Sequence, residues 1–442
     1  MMAASADTIY ALSSGALPAG VAIVRISGPQ AFDAFVRLTG QDLPEPRRAA
    51  LRSIRDRNNE VIDQALIIVF PAPNSFTGEN CIEIHCHGSR AVVAALFAEL
   101  EQIDGFRPAD AGEFSRRAFE NGKMDLLEIE GLADLLQAET EMQRRLAVEQ
   151  STGQLSALYD GWASRLTRAR ALIEAELDFA DEEDVPDSVA AQVWDAMTEL
   201  RDEIKAHLLN GGGSEIIRDG FKVALVGEPN VGKSTLLNAL SGRDVAIVTD
   251  IAGTTRDVLS VDINLDGYLV RIFDTAGIRE TQDVVEKEGV RRAVLTAETA
   301  DLVLMLQDND STPKQSVTSF ENTRRLHVRT KTALSSQEDS GFDLSISAKE
   351  GLGLEELRLS IRQEIESRVG VAQTLVPARA RHKKRLEETL NYVSDALNSE
   401  TMDLAIRSEY LRLAATSLGR ITGRVDVEDL LGVIFSEFCI GK

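Results

Sequence analysis

The run Gly227-Glu228-Pro229-Asn230-Val231-Gly232-Lys233-Ser234 matches G-x-x-x-x-G-K-[ST], a spacing that lets backbone wrap around phosphate. An apolar stretch, Val223–Val226, precedes it, and a helical pattern follows from Thr235. In that context the N–H groups of the loop, from Asn230 through Thr235, cradle the α- and β-phosphates of a nucleotide. Lys233 reaches the β/γ-phosphates and the Ser234 hydroxyl binds Mg²⁺. The start of the helix adds the positive end of its dipole.

Two further runs stand at workable distances. Gly253-Thr254-Thr255-Arg256-Asp257 supplies hydroxyls for a switch that senses the γ-phosphate. Asp274-Thr275-Ala276-Gly277 follows the strand pattern Tyr268–Phe273; Asp274 anchors the Mg²⁺ shell and the Gly277 N–H faces the γ-phosphate. Three phosphate motifs in this order imply a P-loop GTPase. After Gly277 stands Ile278, which cannot orient an attacking water, so another group must do so or hydrolysis is negligible. Arg256 and Arg279 lie in the switches but read equally well as solvated charges.

The elements that must hold these groups follow from pattern and composition. A chain of 442 residues suggests about three domains. The net charge of −23 argues against a stand-alone nucleic-acid coat, which needs clustered Lys and Arg. No apolar run reaches the ~18 residues of a membrane helix. Met1–Tyr10 lacks the basic-then-apolar order of a secretory signal, and three cysteines are too few for a disulfide framework, so a reducing cytoplasmic setting is expected. Residues 1–121 read as α+β, with strands at Val21–Ile26 and Ala65–Phe70 and a helix at Ala91–Gln102. From Asp125 onward Leu126, Ile129, Leu132, Leu135 and Leu136 recur at helical spacing, and residues 122–217 read as a helical bundle. Asp181–Asp184 reads as a solvated turn and Gly211–Gly213 as a flexible joint. Residues 218–370 alternate strand and helix, as a parallel α/β sheet does. Residues 371–442 return to helical periodicity; such a tail cannot bury its apolar faces alone and is expected to pack on the earlier helices, making the α/β block an insertion.

Other motifs complete the picture. Phe76-Thr77-Gly78-Glu79 leads into Glu83-Ile84-His85-Cys86-His87-Gly88, followed by Gly112-Glu113-Phe114, Arg117-Ala118-Phe119 and Asn121-Gly122-Lys123; the chain ends Phe438-Cys439-Ile440-Gly441-Lys442. Together with the P-loop Pro229-Asn230 and Thr249-Asp250-Ile251-Ala252-Gly253-Thr254-Thr255-Arg256-Asp257, these closely resemble the MnmE (TrmE) family of tRNA-modification GTPases over essentially the whole chain. The resemblance implies a multidomain fold: an N-terminal α+β domain that binds tetrahydrofolate and dimerises, a helical domain, and an inserted Ras-like G domain. It implies a homodimer that joins the flavoprotein MnmG (GidA) in a heterotetramer. That assembly would act on the anticodon stem-loop of tRNA, adding an aminomethyl or carboxymethylaminomethyl group to C5 of the wobble uridine. The one-carbon unit comes from 5-formyl- or methylene-tetrahydrofolate, FAD sits on the partner, and GTP hydrolysis to GDP drives the change of conformation.

The resemblance also assigns residues. K⁺ replaces an arginine finger, with Asn230, the Thr249 and Ile251 carbonyls, and Thr254 as its cage. The water-orienting acid corresponds to Glu286, and Thr255 is the switch ligand of Mg²⁺. The GTP contacts include residues 249–254, Asp274, Thr275, Ala276 and Gly277. Folate contacts map onto Arg25, Glu83, Lys123 and Lys442; an acid accepts hydrogen bonds from pterin N–H groups and bases suit the glutamate tail.

One departure matters. Where a GTPase reads guanine with N-K-x-D, this chain has Thr330-Lys331-Thr332-Ala333, so the discriminating carboxylate is missing. Lys331 can still cover the base, and Ser347-Ala348-Lys349 resembles the second base-contacting segment. Losing a charge-assisted pair costs roughly 1.5–3 kcal/mol, so GTP binding is expected to be weaker and less selective. A rival reading follows, a folate-binding tRNA-modification scaffold with weak or non-selective hydrolysis. Ser13–Gly20 carries no arginine where the family commonly has a Gly/Arg-rich loop, and Arg107-Pro108-Ala109-Asp110-Ala111 replaces the family's usual Arg-Pro before Gly112. Zinc at Cys81, His85, Cys86 and His87 is disfavoured because alternation sends Cys86 to the opposite face. Cys439 reads as a packed thiol or cofactor neighbour.

Overall fold

The computed structural model describes residues 7–178, 189–228, 230–243, 260–274, 299–308, 323–331, 341–370, 376–398, 403–425 and, near the C-terminus, 431, 432, 434, 435, 438 and 441. These fall into two compact units. One comprises residues 1–133, 151–167 and 415–442; the other comprises 134–150 and 168–414.

The first unit is built on a six-stranded sheet ordered β3-β4-β5-β2-β1-β6. Its strands are β1 (Thr8–Leu12), β2 (Ala19–Ser27), β3 (Ala50–Arg55), β4 (Val61–Phe70), β5 (Cys81–Gly88) and β6 (Phe106–Pro108). All neighbours are antiparallel except β1 and β6. Alternation along β2 and β5 sends Ala22, Val24, Ile26, Ile82 and Ile84 to one face. Helices α1 (Ala31–Thr39) and α2 (Arg90–Leu100) cover that face with Phe35, Leu38, Val93 and Leu96. The Ser89 hydroxyl caps α2 by accepting from the Val92 N–H. The same alternation leaves Arg25, Glu83 and His85 on the other face, opposite the helices. There α3 (Glu113–Glu120) contributes Phe114, which packs with Ile9, Ala11 and Phe76.

Helix α4 (Leu126–Gln137) forms at the predicted spacing. Asp125 and Glu128 exchange side-chain-to-backbone hydrogen bonds at its start, a capping box. Leu126, Ile129 and Ala133 pack against Ile434, Phe435 and Phe438, so the end of the chain does return to earlier helices.

The second unit contains α5 (Glu141–Ser151) apart from its last residue, the C-terminal part of α6 (Gln154–Asp178), α7 (Val189–Asn210) and α8 (Ser214–Asp219). Its sheet is ordered β12-β11-β10-β7-β9-β8, from β7 (Phe221–Gly227), β8 (Ser260–Leu265), β9 (Tyr268–Asp274), β10 (Leu302–Asp308), β11 (Arg324–Thr330) and β12 (Leu344–Ser345). All pairs are parallel except β8 with β9. Strand β7 is buried on both faces, which is why Val223–Val226 reads as a continuous apolar run. Helices α9 (Lys233–Arg243), α10 (Leu354–Val369), α11 (Ala380–Asn398) and α12 (Leu404–Thr422) complete the described elements. Parallel pairing brings the C-terminal ends of β7, β9, β10 and β11 to one edge, where α/β sheets bind ligands.

Gly211–Gly213 is not a loose joint. It forms one 3₁₀ turn, and a Cβ on Gly213 would stand 2.5 Å from the Val369 Cα. Glycine is present there for close backbone packing, reinforced by the Ser214 hydroxyl donating to the Pro377 carbonyl at 2.8 Å. The acidic run 181–184 lies outside the described residues.

Candidate functional site

The loop between β7 and α9 carries the phosphate motif. Two of its residues take positive φ: Asn230 at 63° and Gly232 at 105°. Asparagine tolerates that region better than most side chains, and glycine enters it without strain. Helix α9 begins at Lys233, so Ser234 and Thr235 sit in its first turn. Lys233 is buried, and its Nζ donates to the carbonyls of Gly227 at 2.8 Å and Glu228 at 3.0 Å. Burial pushes the Lys233 ammonium below its ordinary pKa, while the nearby Asp274 carboxylate opposes that shift. The lysine therefore spans its own loop as a cation ready for a phosphate oxygen.

The Ser234 hydroxyl donates to Asp274 Oδ2 at 3.2 Å. Asp274 ends β9 and is buried beside the loop. A hydroxyl and a carboxylate oxygen at this separation are the hard oxygen donors that suit Mg²⁺. Thr255, Thr275, Ala276, Gly277 and Glu286 lie outside the described residues, as do Thr249, Asp250, Ile251, Ala252, Gly253 and Thr254.

Beside the loop a cavity of about 340 Å³ is lined by Val231, Gly232, Thr235, Thr330, Lys331, Ser347, Ala348 and Lys349, among others. Both segments expected to contact the base thus meet the phosphate loop. Lys331 has φ 59°, and its Nζ pairs with Asp308 Oδ2 at 2.5 Å. The buried Thr330 hydroxyl lies 2.7 Å from the Val231 carbonyl and 3.0 Å from the Gln307 carbonyl. In the sequence, position 330 shows only that an asparagine is replaced; the threonine ties the base loop to the phosphate loop. Neither this tie nor the Asp308 partner can be read from the sequence, because both depend on the pairing of β10 with β11. Ala333 lies outside the described residues.

The first unit holds a second cluster. Arg25 Nη2 and Nε both donate to Glu83 Oε1, at 2.8 and 3.1 Å, across the β2–β5 pair. The guanidinium also lies over Phe76 and Phe114, 5.0 and 5.7 Å from the ring centroids. Both rings belong to sequence motifs whose spacing gives no sign of this stacking. The Phe76 loop is held by Asn121, whose Nδ2 donates to the Thr77 carbonyl at 2.8 Å. Behind it the Arg117 guanidinium, 3% exposed, pairs with Asp7, Glu79 and Glu113. Lys123 lies along Gly78 of the same loop. Lys442 lies outside the described residues, but its neighbour Gly441 accepts a hydrogen bond from the Ser13 hydroxyl at 2.8 Å. Cys86 lies in the helix-covered core, away from His85, and among the described residues no group of three or more His, Cys, Asp and Glu could hold a metal ion. Cys439 lies outside the described residues.

A glycine-bearing loop between a central parallel strand and a helix, with a buried lysine and a Ser–Asp pair at its mouth, defines a P-loop nucleotide-binding protein. Comparison narrows that class. Residues 8–123 match the family model for the GTP-binding protein TrmE N-terminus, and residues 126–439 match the model for the MnmE helical domain. The chain is 84% identical over 439 residues to tRNA modification GTPase MnmE of Agrobacterium fabrum, covering 99% of each chain. Identity to the protein of the same name from Rhizobium johnstonii is 58% over 441 residues, covering all of both chains. With that of Brucella canis it is 50% over 436 residues, covering 99% of this chain and 98% of the other. The chain belongs to the MnmE family of tRNA modification GTPases.

Proposed function

We propose that this protein hydrolyses GTP to drive modification of the tRNA wobble uridine at C5, acting with the flavoprotein MnmG and a tetrahydrofolate one-carbon donor. The observation that carries the reading is the arrangement of Lys233, Ser234 and Asp274 at the mouth of the loop. Residues 218–370 form the G domain, inserted in a helical domain of 122–217 and 371–442, with 1–121 as the folate-binding and dimerising domain. The homodimer assembles with MnmG as a heterotetramer in the cytoplasm.

In this reading GTP enters with its base in the cavity beside Lys331 and Ser347–Lys349. Its phosphates follow the N–H groups of 230–235. Lys233 then exchanges its two carbonyl partners for phosphate oxygens, which is favourable because the buried ammonium gains an anion. Ser234, Asp274 and Thr255 hold Mg²⁺, which supplies positive charge to the β- and γ-phosphates. Asn230, Thr249, Ile251 and Thr254 hold K⁺, which supplies the charge an arginine finger would. Glu286 orients the attacking water, a task Ile278 cannot perform. Arg25, Glu83, Lys123 and Lys442 hold the folate, whose one-carbon unit supplies the new carbon. The donor set fits: Glu83 Oε1 is taken by Arg25, which leaves Oε2 for ligand N–H groups over an aromatic floor.

The test is genetic and chemical. In cells whose own copy is deleted, wobble uridines analysed by mass spectrometry should regain the C5 group with the wild-type chain and not with Lys233→Ala. Full restoration by Lys233→Ala would sink the reading.

A further inference from the structure

The sheet face that carries Arg25 and Glu83 carries one more polar group. His85 stands two residues after Glu83 on β5, so both side chains leave the same face. Its Nε2 is buried without a hydrogen-bond partner, 3.7 Å from Glu83 Oε2. The residues directly across from it are Ile23 on β2 and Leu66 on β4, which offer no polar atom in their side chains. Of the charged groups on that face, Arg25 is engaged by Glu83, and His87 further along β5 pairs with Asp63 at 2.8 Å.

Both Arg25 nitrogens converge on Glu83 Oε1. A pterin presents a ring N–H beside an exocyclic amine, and this two-donor edge needs two acceptors. A free carboxylate would supply both of its oxygens; here one is committed to the arginine. We infer that the acceptor pair is Glu83 Oε2 together with His85 Nε2, which makes His85 a ligand-contacting residue that selects a 2-amino-4-oxopyrimidine edge. This rests on the folate reading above. It requires the neutral imidazole with its proton on Nδ1.

The experiment is calorimetric titration of the full-length protein with 5-formyl-tetrahydrofolate at pH 7.5, with melting curves to confirm folding. His85→Phe should bind about 10-fold more weakly at pH 7.5, the loss of one hydrogen bond to a buried acceptor. His85→Gln, whose amide oxygen can accept in place of Nε2, should bind near wild-type strength. Binding by His85→Phe with the wild-type constant would overturn the inference. If that result came with binding abolished in Glu83→Ala, the folate reading would stand and only the role of His85 would fall. No binding by wild type would remove both.

Discussion

Thr330 does with one hydroxyl what two donors would do better. Its single proton faces two carbonyls, those of Val231 and Gln307, and serves one at a time. Thr330→Val removes the tie between the base loop and the phosphate loop and should weaken GDP and GTP binding by about 3–10-fold. Thr330→Asn, with two N–H donors, should bind at least as tightly as wild type; fluorescence titration with labelled GDP checks both, and an unaffected Thr330→Val would contradict the role. The same titrations with XTP and ATP test whether a site lacking the base-reading carboxylate is less selective, as Ala333 implies. The phosphate loop was legible because its groups are consecutive and need only one strand and one helix around them. The Arg25–Glu83 pair was half legible, since alternation fixes a face but not the partner across the sheet. Lys331 with Asp308, and the rings under Arg25, were not legible, because strand order and loop folding create them.

Among the elements, most segments formed where periodicity placed them: β2 about Val21–Ile26, β4 about Ala65–Phe70, α2 about Ala91–Gln102 and α4 from Leu126. Gly211–Gly213 did not behave as its composition suggests, since a glycine run means flexibility in open chain and close approach against a backbone such as that of Val369. The neighbouring α7 carries a titratable device of its own. Burial pushes the His207 imidazole down to about 4. The folded protein therefore keeps it neutral while the unfolded chain protonates near pH 6.5. Stability from this source is complete above pH 6.5 and is lost as pH falls toward 4. Carboxylates titrate mostly below pH 5, so the melting temperature should drop between pH 6.5 and 5 chiefly through histidine. His207→Leu should reduce that drop, and an unchanged slope would show that the imidazole is not held neutral.

For the whole molecule, the order of patterns along the chain already implied an α/β block interrupting helices. The packing of Ile434, Phe435 and Phe438 on Leu126, Ile129 and Ala133 agrees with a tail that cannot bury its own apolar face. What no local pattern could convey is which groups distant in sequence meet beside the phosphate loop, as Thr330 meets the Val231 carbonyl. A net charge of −23 argues against a protein that coats RNA by its own overall field. The account stands on its being a potassium-stimulated enzyme rather than a folate scaffold. The most direct measurement is phosphate release from GTP in KCl and in NaCl at equal ionic strength, for wild type and Glu286→Ala. Strong stimulation by potassium in wild type, lost in the variant, is the predicted result. Little turnover in either salt at saturating GTP would contradict it and leave the scaffold.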